Sequence, residues 1–340
     1  MIISRTPYRI SFLGGGTDFP AWYREFGGEV LSAAINKHCY LSVRKLPPFF
    51  EHRFRIVYSK VEMCRETHEI QHPAVREVLR YLKIEEGLEI HHDGDLPGRS
   101  GIGSSSAFTV GLLNAVAKLK GMDLTAHELA LKSIYIEQDI LKETVGCQDQ
   151  IQAAYGGFNH TIFHPDGQIS VTPLNLSSER AQELANHLML FYTGVHRTSS
   201  KIADTYIHNL IREQDRLLSA KDFVQAGVEI LKSNEDLKKF GQLLHESWTL
   251  KSGWSSQVTP SSIKQMYEAA CASGAIGGKL AGAGGGGFLL LFVPPSKQAR
   301  VRESLNGLLE VPFGFDFEGS KIIFEGKSAS QDLIIPYESK

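Results

Sequence analysis

Cysteine is scarce in this chain, and its four residues lie far apart, at Cys39, Cys64, Cys147 and Cys271. Because no C-x-x-C pair occurs, the sequence indicates neither a zinc ribbon nor a disulfide framework, and we expect reduced thiols. The chain also lacks a run of about 18 apolar residues and a signal-like apolar core near its N-terminus. These absences favour a cytoplasmic protein that has no membrane partner.

Neither sign of charge predominates, since 36 Lys and Arg residues stand against 38 Asp and Glu residues, for a formal net charge of −2. This balance argues against broad binding to nucleic acid or to a membrane surface, so we expect a small ligand and no nucleic-acid partner. A chain of 340 residues suffices for two domains, each with its own core. We place their boundary near residue 185, in the polar stretch Ser177–Asn186, which gives domains 1–185 and 186–340.

Hydrophobic patterning predicts a mixture of strands and helices. In the first half, strands are expected at Tyr8–Leu13, Val30–Ile35, Tyr40–Val43, Phe54–Tyr58, Leu88–His92, Phe158–Phe163 and Ile169–Leu174. Helical spacing runs from Phe108 to Leu119, and a capping box at Thr125 opens a second helix that reaches about Lys142. The second half has helical patterns at about 199–219, 221–232, 235–251 and 261–273, with strands at His187–Thr193, Phe288–Val293 and near Lys321–Phe324.

The most informative stretch is Leu96–Ala107, in which a glycine-rich turn leads into three serines at the start of a predicted helix. Glycines let the backbone approach an anion closely, and the first N–H groups of a helix are free and lie at its positive end. We therefore predict a cradle for the phosphates of a nucleotide. A plain helix cap is the alternative, but it leaves two hydroxyls and two glycines without a role. The stretch is not a Walker A loop, because no Lys follows Gly103.

Three motifs, taken together, resemble those of the GHMP kinase superfamily, which is named for galactokinase, homoserine kinase, mevalonate kinase and phosphomevalonate kinase. They are Arg5–Asp18, the cradle and the glycine run Gly282–Gly287, and they lie near the N-terminus, a third of the way along and near the C-terminus. Arg5–Asp18 and Val145–Gly157 are moreover similar to the bacterial D-glycero-D-manno-heptose 7-phosphate 1-kinases. The resemblance implies an α+β, two-domain fold with a ribosomal protein S5 domain 2-like N-terminal domain and a ferredoxin-like C-terminal domain.

The resemblance also implies an activity and its small molecules. The γ-phosphoryl group of ATP would pass, with Mg²⁺, to the anomeric hydroxyl of D-glycero-D-manno-heptose 7-phosphate, and the 1,7-bisphosphate would serve heptose-nucleotide and surface-polysaccharide synthesis. A homo-oligomer is left open. Three alternatives remain: another sugar 1-kinase such as one for L-fucose, a nonenzymatic sensor of ATP and sugar, and a decarboxylase of the same superfamily.

By the same resemblance, ATP would bind at Pro97, Gly98, Gly101, Ile102, Gly103, Ser104, Ser105 and Ser106. Ser105 and Glu137 would hold Mg²⁺, for which a hydroxyl and a carboxylate are suitable hard ligands. Asp149 would be catalytic and take or orient the acceptor proton, and Arg9 would stabilise its charge and that of the transferred group. Without the resemblance, Glu137 could be an exposed helix residue, Asp149 a helix cap and Arg9 a surface residue.

The implied substrate-binding residues are Asp18, Gly15, Gly16, Arg197, Gly284 and Gly285. Asp18 would contact sugar hydroxyls. Gly15 and Gly16 stand where galactokinases carry a Glu-His pair, which enlarges the pocket and argues against galactose. Arg197 and the hydroxyls that follow it offer donors for a substrate phosphate, although a capped helix with ordinary surface charges is an equal interpretation. Gly284 and Gly285 would help to shape the site between the domains.

Overall fold

The computed structural model describes residues 1–195, 214–252, 260–282 and 284–326. Within these ranges, one sheet contains β1 Ile2–Leu13, β2 Gly28–Lys45, β3 Phe54–Val57, β4 Val61–Cys64, β5 Leu88–Gly94, β6 Phe158–Phe163 and β7 Ile169–Pro173, together with the late strand Lys321–Glu325. That late strand pairs antiparallel with β1, which in turn pairs with β2. Strand β5 pairs with one half of β2 and β6 with the other.

The second sheet contains β8 Leu188–Tyr192, β9 Gly277–Leu280, β10 Phe288–Phe292 and β11 Leu309–Glu310, so the late strand of the first sheet is β12. Its order is β11-β8-β10-β9, and every pairing is antiparallel. Helices separate β8 from β9 and β10 from β11, which is the β-α-β-β-α-β arrangement of ferredoxin-like domains. The predicted α+β fold with a ferredoxin-like second half is therefore confirmed.

Ten helices lie within the described ranges: α1 Pro20–Phe26, α2 Pro73–Tyr81, α3 Ser104–Leu119, α4 Ala126–Tyr135, α5 Gln148–Tyr155, α6 Ser178–His187, α7 Gln214–Lys232, α8 Lys238–Ser252, α9 Ser261–Ser273 and α10 Gln298–Ser304. The predicted helix after the cradle is α3, and its residues 106–117 are buried. The capping box of Thr125 is present with both of its hydrogen bonds. After α4 the chain makes one π-helical turn, Ile136–Ile140, so this helical segment ends before the predicted Lys142.

Two sequence expectations about strands and helices were wrong. The predicted strands Val30–Ile35 and Tyr40–Val43 are parts of one strand, β2, because β1 pairs with both halves and spans the polar residues between them. The break predicted between 199–219 and 221–232 does not exist, since α7 is continuous from Gln214 to Lys232. Most of the predicted helix 199–219 lies outside the described residues.

One hydrophobic core spans both sheets, and a second cluster, which includes Phe191 and Leu291, packs the second sheet against α8 and α9. Phe12 in β1 stacks on Phe158 of the same sheet at 6.4 Å between ring centroids, and it meets the edge of Phe240 in α8 at 5.5 Å. The polar stretch in which we predicted the domain boundary forms α6, whose cap Ser177 accepts a hydrogen bond from the N–H of Arg180. Strand β12 carries residues 321–325 back to the first sheet. In the described part of the chain, no helix is long and apolar enough to span a membrane.

Candidate active site

A cavity of about 460 Å³ lies where the end of β1, the start of α3 and the second glycine run meet. Ten residues singled out from the sequence line it: Arg9, Gly15, Gly16, Asp18, Gly101, Gly103, Ser104, Ser105, Ser106 and Asp149. The fold therefore brings together Arg9 and Asp149, which are 140 residues apart in the chain, and adds Gly282 of the second glycine run. The lining residues that the sequence interpretation did not single out include Ser11, Lys142, Gln148, Lys251 and Lys279.

Of the other predicted site residues, one lies outside the described residues and the rest are not part of the cavity lining. Ile102 is fully buried, and the carbonyl of Pro97 accepts a hydrogen bond from Ser100. Gly98 has open space around it. Gly284 and Gly285 are buried with φ of +107° and +78°, so both have a backbone conformation that favours glycine. Arg197 lies outside the described residues.

The cradle is shaped by glycine and by the start of α3. Gly103 precedes α3 with a left-handed φ of +72°. A Cβ at this position would lie 3.1 Å from Arg9 Cγ and 3.4 Å from Asp149 Oδ2, so the acidic side chain stands directly beside the helix start. Ser105 is exposed, whereas Ser106 is buried. The geometry is that of an anion site at a helix N-terminus, with a carboxylate within a few ångströms of it.

The second glycine run contacts the cradle through bare backbone. A Cβ on Gly101 would lie 2.4 Å from the carbonyl oxygen of Ala281, and one on Gly282 would lie 2.6 Å from Gly101 Cα. At Gly287, a Cβ would meet the carbonyl oxygen of Ser100 at 2.1 Å. The run is thus a close-approach loop rather than a flexible linker, and side chains at these positions would push the two segments apart.

Arg9 and Asp149 form a bidentate ion pair on the cavity wall. Arg9 Nε donates to Asp149 Oδ1 at 2.7 Å and Nη2 donates to Oδ2 at 2.9 Å, while Nη1 donates to the Gly101 carbonyl at 2.7 Å. The cap of α5 is Cys147, so the interpretation of Asp149 as a helix cap is wrong. Arg9 is only 4% exposed, so it is not a surface residue. Its hydrogen bonds to Asp149 and to the Gly101 carbonyl connect β1 to both α5 and the cradle.

Asp18 is buried next to this pair. Its carboxylate accepts hydrogen bonds from the N–H of Gly16 at 3.0 Å and of Gln148 at 3.3 Å. Burial, and then the neighbouring Asp149 carboxylate, raises the pKa of Asp18. A Cβ on Gly146 would lie 1.9 Å from Asp18 Oδ2, so only glycine leaves room for the carboxylate in this position.

Glu137 is buried beneath the cradle, which excludes the alternative of an exposed helix residue. Its Oε2 accepts a hydrogen bond from Ser106 Oγ at 2.8 Å and another from Gln150. Its Oε1 is buried and makes no hydrogen bond of normal geometry within the described residues, and the nearby Thr109 hydroxyl favours the charged carboxylate. Burial, with Glu143 nearby, raises the pKa of the Glu137 carboxyl to about 7. The serine that is hydrogen-bonded to Glu137 is Ser106, and both Ser105 and Ser106 line the cavity.

Two lysines on the cavity wall come from the second half of the chain. Lys279 in β9 is 6% exposed, and its Nζ donates to the carbonyls of Ser11 at 2.7 Å and Phe12 at 2.8 Å. Lys251 in α8 donates to the Gly282 carbonyl at 2.9 Å. Burial lowers the pKa of both ammonium groups, to about 8 for Lys251. Lys279 could have been noticed because it lies three residues before the glycine run, but nothing in the sequence marks Lys251.

The fold and the site together define a phosphotransferase: a glycine cradle at a helix start, an Arg–Asp pair beside it and a cavity shared with a ferredoxin-like sheet. The chain matches the model of the GHMP kinases N terminal domain over residues 69–157 and that of the GHMP kinases C terminal domain over residues 228–310. It belongs to the GHMP kinases, which transfer a phosphoryl group from ATP to an alcohol.

Several relatives resemble the chain over nearly its whole length. A D-glycero-alpha-D-manno-heptose 7-phosphate kinase of Campylobacter jejuni is 28% identical over 94% of this chain and 98% of its own. A bifunctional fucokinase/GDP-fucose pyrophosphorylase of Arabidopsis thaliana is 25% identical over 91% of this chain and 31% of its own. The crystal structure of a D-glycero-D-manno-heptose 1-phosphate kinase from Bacteroides thetaiotaomicron superposes with a TM-score of 0.79 at 24% identity, over 96% of this chain and 100% of that one.

Proposed function

We propose that this protein is a sugar 1-kinase that transfers the γ-phosphoryl group of ATP to the anomeric hydroxyl of D-glycero-D-manno-heptose 7-phosphate. The observation that carries the proposal is the position of the Arg9–Asp149 pair: both side chains lie against Gly103, the residue that precedes α3. The acceptor hydroxyl and the phosphate chain can therefore meet at one point. The match with the Campylobacter heptose 7-phosphate kinase along 98% of its length supports the choice of acceptor.

In the proposed reaction, the anomeric oxygen forms a bond to the γ-phosphorus while the bond from that phosphorus to the β,γ-bridging oxygen breaks. The bond's electron pair leaves with ADP, and the hydroxyl proton passes to Asp149. Both Asp149 oxygens accept hydrogen bonds from Arg9, so the carboxylate is fixed in orientation before the acceptor arrives. Its side chain is 26% exposed and can still reach an acceptor in the cavity. Arg9 also supplies positive charge beside the transferred group.

The cradle residues Pro97, Gly98, Gly101, Ile102, Gly103, Ser104, Ser105 and Ser106 are proposed to hold the ATP phosphates. The free N–H groups at the start of α3 would donate to phosphate oxygens, and the helix dipole favours the negative charge. The residues also fit Mg²⁺, because Glu137 has one buried oxygen that makes no hydrogen bond of normal geometry in the described part of the chain and Ser105 offers a hydroxyl to the cavity. Ser105 and Glu137 would hold the ion, which neutralises phosphate charge when bound.

On the acceptor side, Asp18 is proposed to bind sugar hydroxyls. Gly15 and Gly16 line the cavity without side chains, and a Cβ on Gly15 would come within 3.4 Å of Ser11 Oγ. The space is consistent with a heptose, which is longer than a hexose by one carbon. Gly284 and Gly285 would support the cradle from behind rather than contact the sugar.

The proposed product, the 1,7-bisphosphate, would enter heptose-nucleotide synthesis for surface polysaccharide in the cytoplasm. Residues 1–185 and 186–340 are proposed as the two domains, with β12 returning to the first. A nonenzymatic sensor is disfavoured, because the Arg–Asp pair and the buried carboxylate are both assembled. A kinase for L-fucose is the second candidate, since a fucokinase matches 91% of this chain.

The test is Mg²⁺-dependent release of ADP from ATP with D-glycero-D-manno-heptose 7-phosphate, L-fucose, galactose or mannose, with phosphorus NMR to locate the new phosphate. We expect selective turnover of the heptose phosphate and a new anomeric phosphate. Preference for L-fucose would move the protein to the second candidate, and absence of turnover with every sugar would refute a kinase for these acceptors.

The role of Asp149 is tested by Asp149→Asn, which we expect to lower kcat by about 10²- to 10⁴-fold. The matched control is Asp166→Asn, because Asp166 lies in an exposed hairpin turn far along the sheet and accepts a hydrogen bond from Gln168 N–H. Near-normal turnover in a folded Asp149→Asn protein would refute the assignment.

A further inference from the structure

One wall of the cavity carries positive charge that the proposed reaction does not use. We call it the lysine recess and define it by Ser11, Lys251 and Lys279. Two of the three N–H groups of the Lys279 ammonium donate to the carbonyls of Ser11 and Phe12. Among the described residues, Lys279 forms no ion pair with a carboxylate within 4.0 Å. A buried ammonium that is held by carbonyls alone is costly unless an anion joins it.

The hydroxyl of Ser11 is a second, independent sign of a ligand. Ser11 is 5% exposed and lines the cavity, yet its Oγ has no hydrogen-bond partner within the described residues. Buried hydroxyls are almost always hydrogen-bonded, so an unpartnered one beside a cavity marks a place for a polar ligand atom.

The charges around the recess favour an anion over a neutral group. Arg9 is paired with Asp149, and among the described residues the Asp18 carboxylate lies close enough to act on the pKa of both lysines. Burial raises the pKa of Asp18. Burial also lowers the pKa of both lysines, and a bound anion would reverse that effect. The recess thus presents the Lys279 and Lys251 amino groups and the Ser11 hydroxyl as donors, and an incoming anion would favour the protonated form of both lysines.

We propose that the lysine recess binds a phosphoryl group of a reactant through Ser11 Oγ, Lys251 and Lys279. The inference rests on the proposed function, because it requires phosphorylated reactants in this cavity. Two phosphoryl groups have the required chemistry: the phosphate that the acceptor already carries, and the one that is transferred. The sequence had suggested Arg197 for the first of these, and that residue lies outside the described part of the chain.

Ser11→Ala is the central variant, because removing an unpartnered buried hydroxyl leaves no protein group unsatisfied and should not impair folding. Lys251→Gln removes one charge and keeps a donor. Ser4→Ala is the matched control on the same strand: Ser4 is also buried, but its hydroxyl already donates to the Gly111 carbonyl at 2.8 Å. We expect the control to lose some stability and to keep its kinetic constants.

The readout compares kcat and KM with D-glycero-D-manno-heptose 7-phosphate and with unphosphorylated D-glycero-D-manno-heptose. If the recess binds the acceptor's phosphate, Ser11→Ala and Lys251→Gln raise the KM for the phosphorylated sugar by about 10- to 100-fold and leave that for the free sugar unchanged. If it binds the transferred group, kcat falls by a similar factor with both acceptors and KM is retained. Unchanged constants in both variants would overturn the proposal.

A direct binding measurement separates this proposal from the proposed function. Inorganic phosphate is titrated calorimetrically into the wild-type protein and Ser11→Ala, with saturating ADP present to occupy the cradle. Weaker binding of phosphate to the variant supports the recess even if no sugar is turned over, in which case only the proposed function fails. Equal phosphate affinity in both proteins would overturn the recess whatever the acceptor proves to be.

Discussion

Glu137→Gln tests whether a carboxyl is really buried beneath the cradle. The change replaces a group whose pKa is raised from 4.5 to about 7 with a neutral group of the same shape, whose carbonyl can still accept from Ser106. At about 1.4 kcal/mol for each pKa unit, ionising Glu137 in the folded protein without a cation costs about 3 kcal/mol. The variant avoids this cost.

The sign of the pH dependence follows from the raised pKa. The protonated Glu137 carboxyl makes its full contribution to the stability of the wild type below pH 4.5, and this contribution is lost as pH rises through 7. Glu137→Gln has no such pH-dependent contribution. In EDTA, the free energy of unfolding of the variant should therefore rise relative to that of the wild type by about 2.5 kcal/mol between pH 5 and pH 8. Added Mg²⁺ and ATP should restore the stability that the wild type loses at high pH, because a cation stabilises the ionised carboxylate, and should not do so for the variant.

Urea unfolding followed by tryptophan fluorescence at pH 5, 6, 7 and 8 measures the effect. Glu25→Gln is the control, since Glu25 lies on the exposed face of α1 and should give a constant difference from the wild type. A difference between wild type and Glu137→Gln that does not change with pH would contradict the burial of this carboxyl. A difference that changes with pH but does not respond to Mg²⁺ and ATP would refute Glu137 as a metal ligand.

Two further predictions concern glycines at which a Cβ has no room. Gly101→Ala should raise the KM for ATP by about 10-fold or more and lower stability, because its Cβ would meet the Ala281 carbonyl at 2.4 Å. The control is Gly121→Ala, which has a similar φ of +76° and open space around it; it should lower stability by about 1 kcal/mol and leave the KM for ATP unchanged. Equal effects of the two substitutions on this KM would show that the contact with Ala281 does not matter for ATP binding. Gly146→Ala should displace Asp18 and raise the KM for the acceptor by about 10-fold, with the KM for ATP unchanged. Steady-state kinetics with each substrate varied in turn would measure the two KM values. An unaltered KM for the acceptor would show that Asp18 does not bind the sugar.

Sequence reasoning succeeded where the signal is local. The helix after Gly103 and the capping box at Thr125 depend on residues within one or two turns, so their chemistry can be read directly. It failed at β2, where two predicted strands are one, because partners from distant parts of the chain decide how far a strand extends. Neighbouring residues do not reveal those partners.

The same distinction holds within the site. Arg9 and Ser11 occupy alternate positions on β1 and so share one face of the strand. Once Arg9 was assigned to the site, the sequence could therefore have predicted Ser11 as a second lining residue. Lys251 could not have been found, because a lysine on a helix gives no sign of whether tertiary contacts will bury it. Its place on the cavity wall depends on how α8 meets the second glycine run.

The contact between the two glycine-rich segments means that the first half of the chain is not an autonomous nucleotide-binding module. The backbones of Gly101 and Gly282 are in direct contact, so each glycine-rich segment supports the conformation of the other. A fragment that ends near residue 185 would expose this contact to water and leave the cradle free to collapse or open. Residues 1–185 and 186–340, produced separately, should therefore regain nucleotide affinity only when they are mixed.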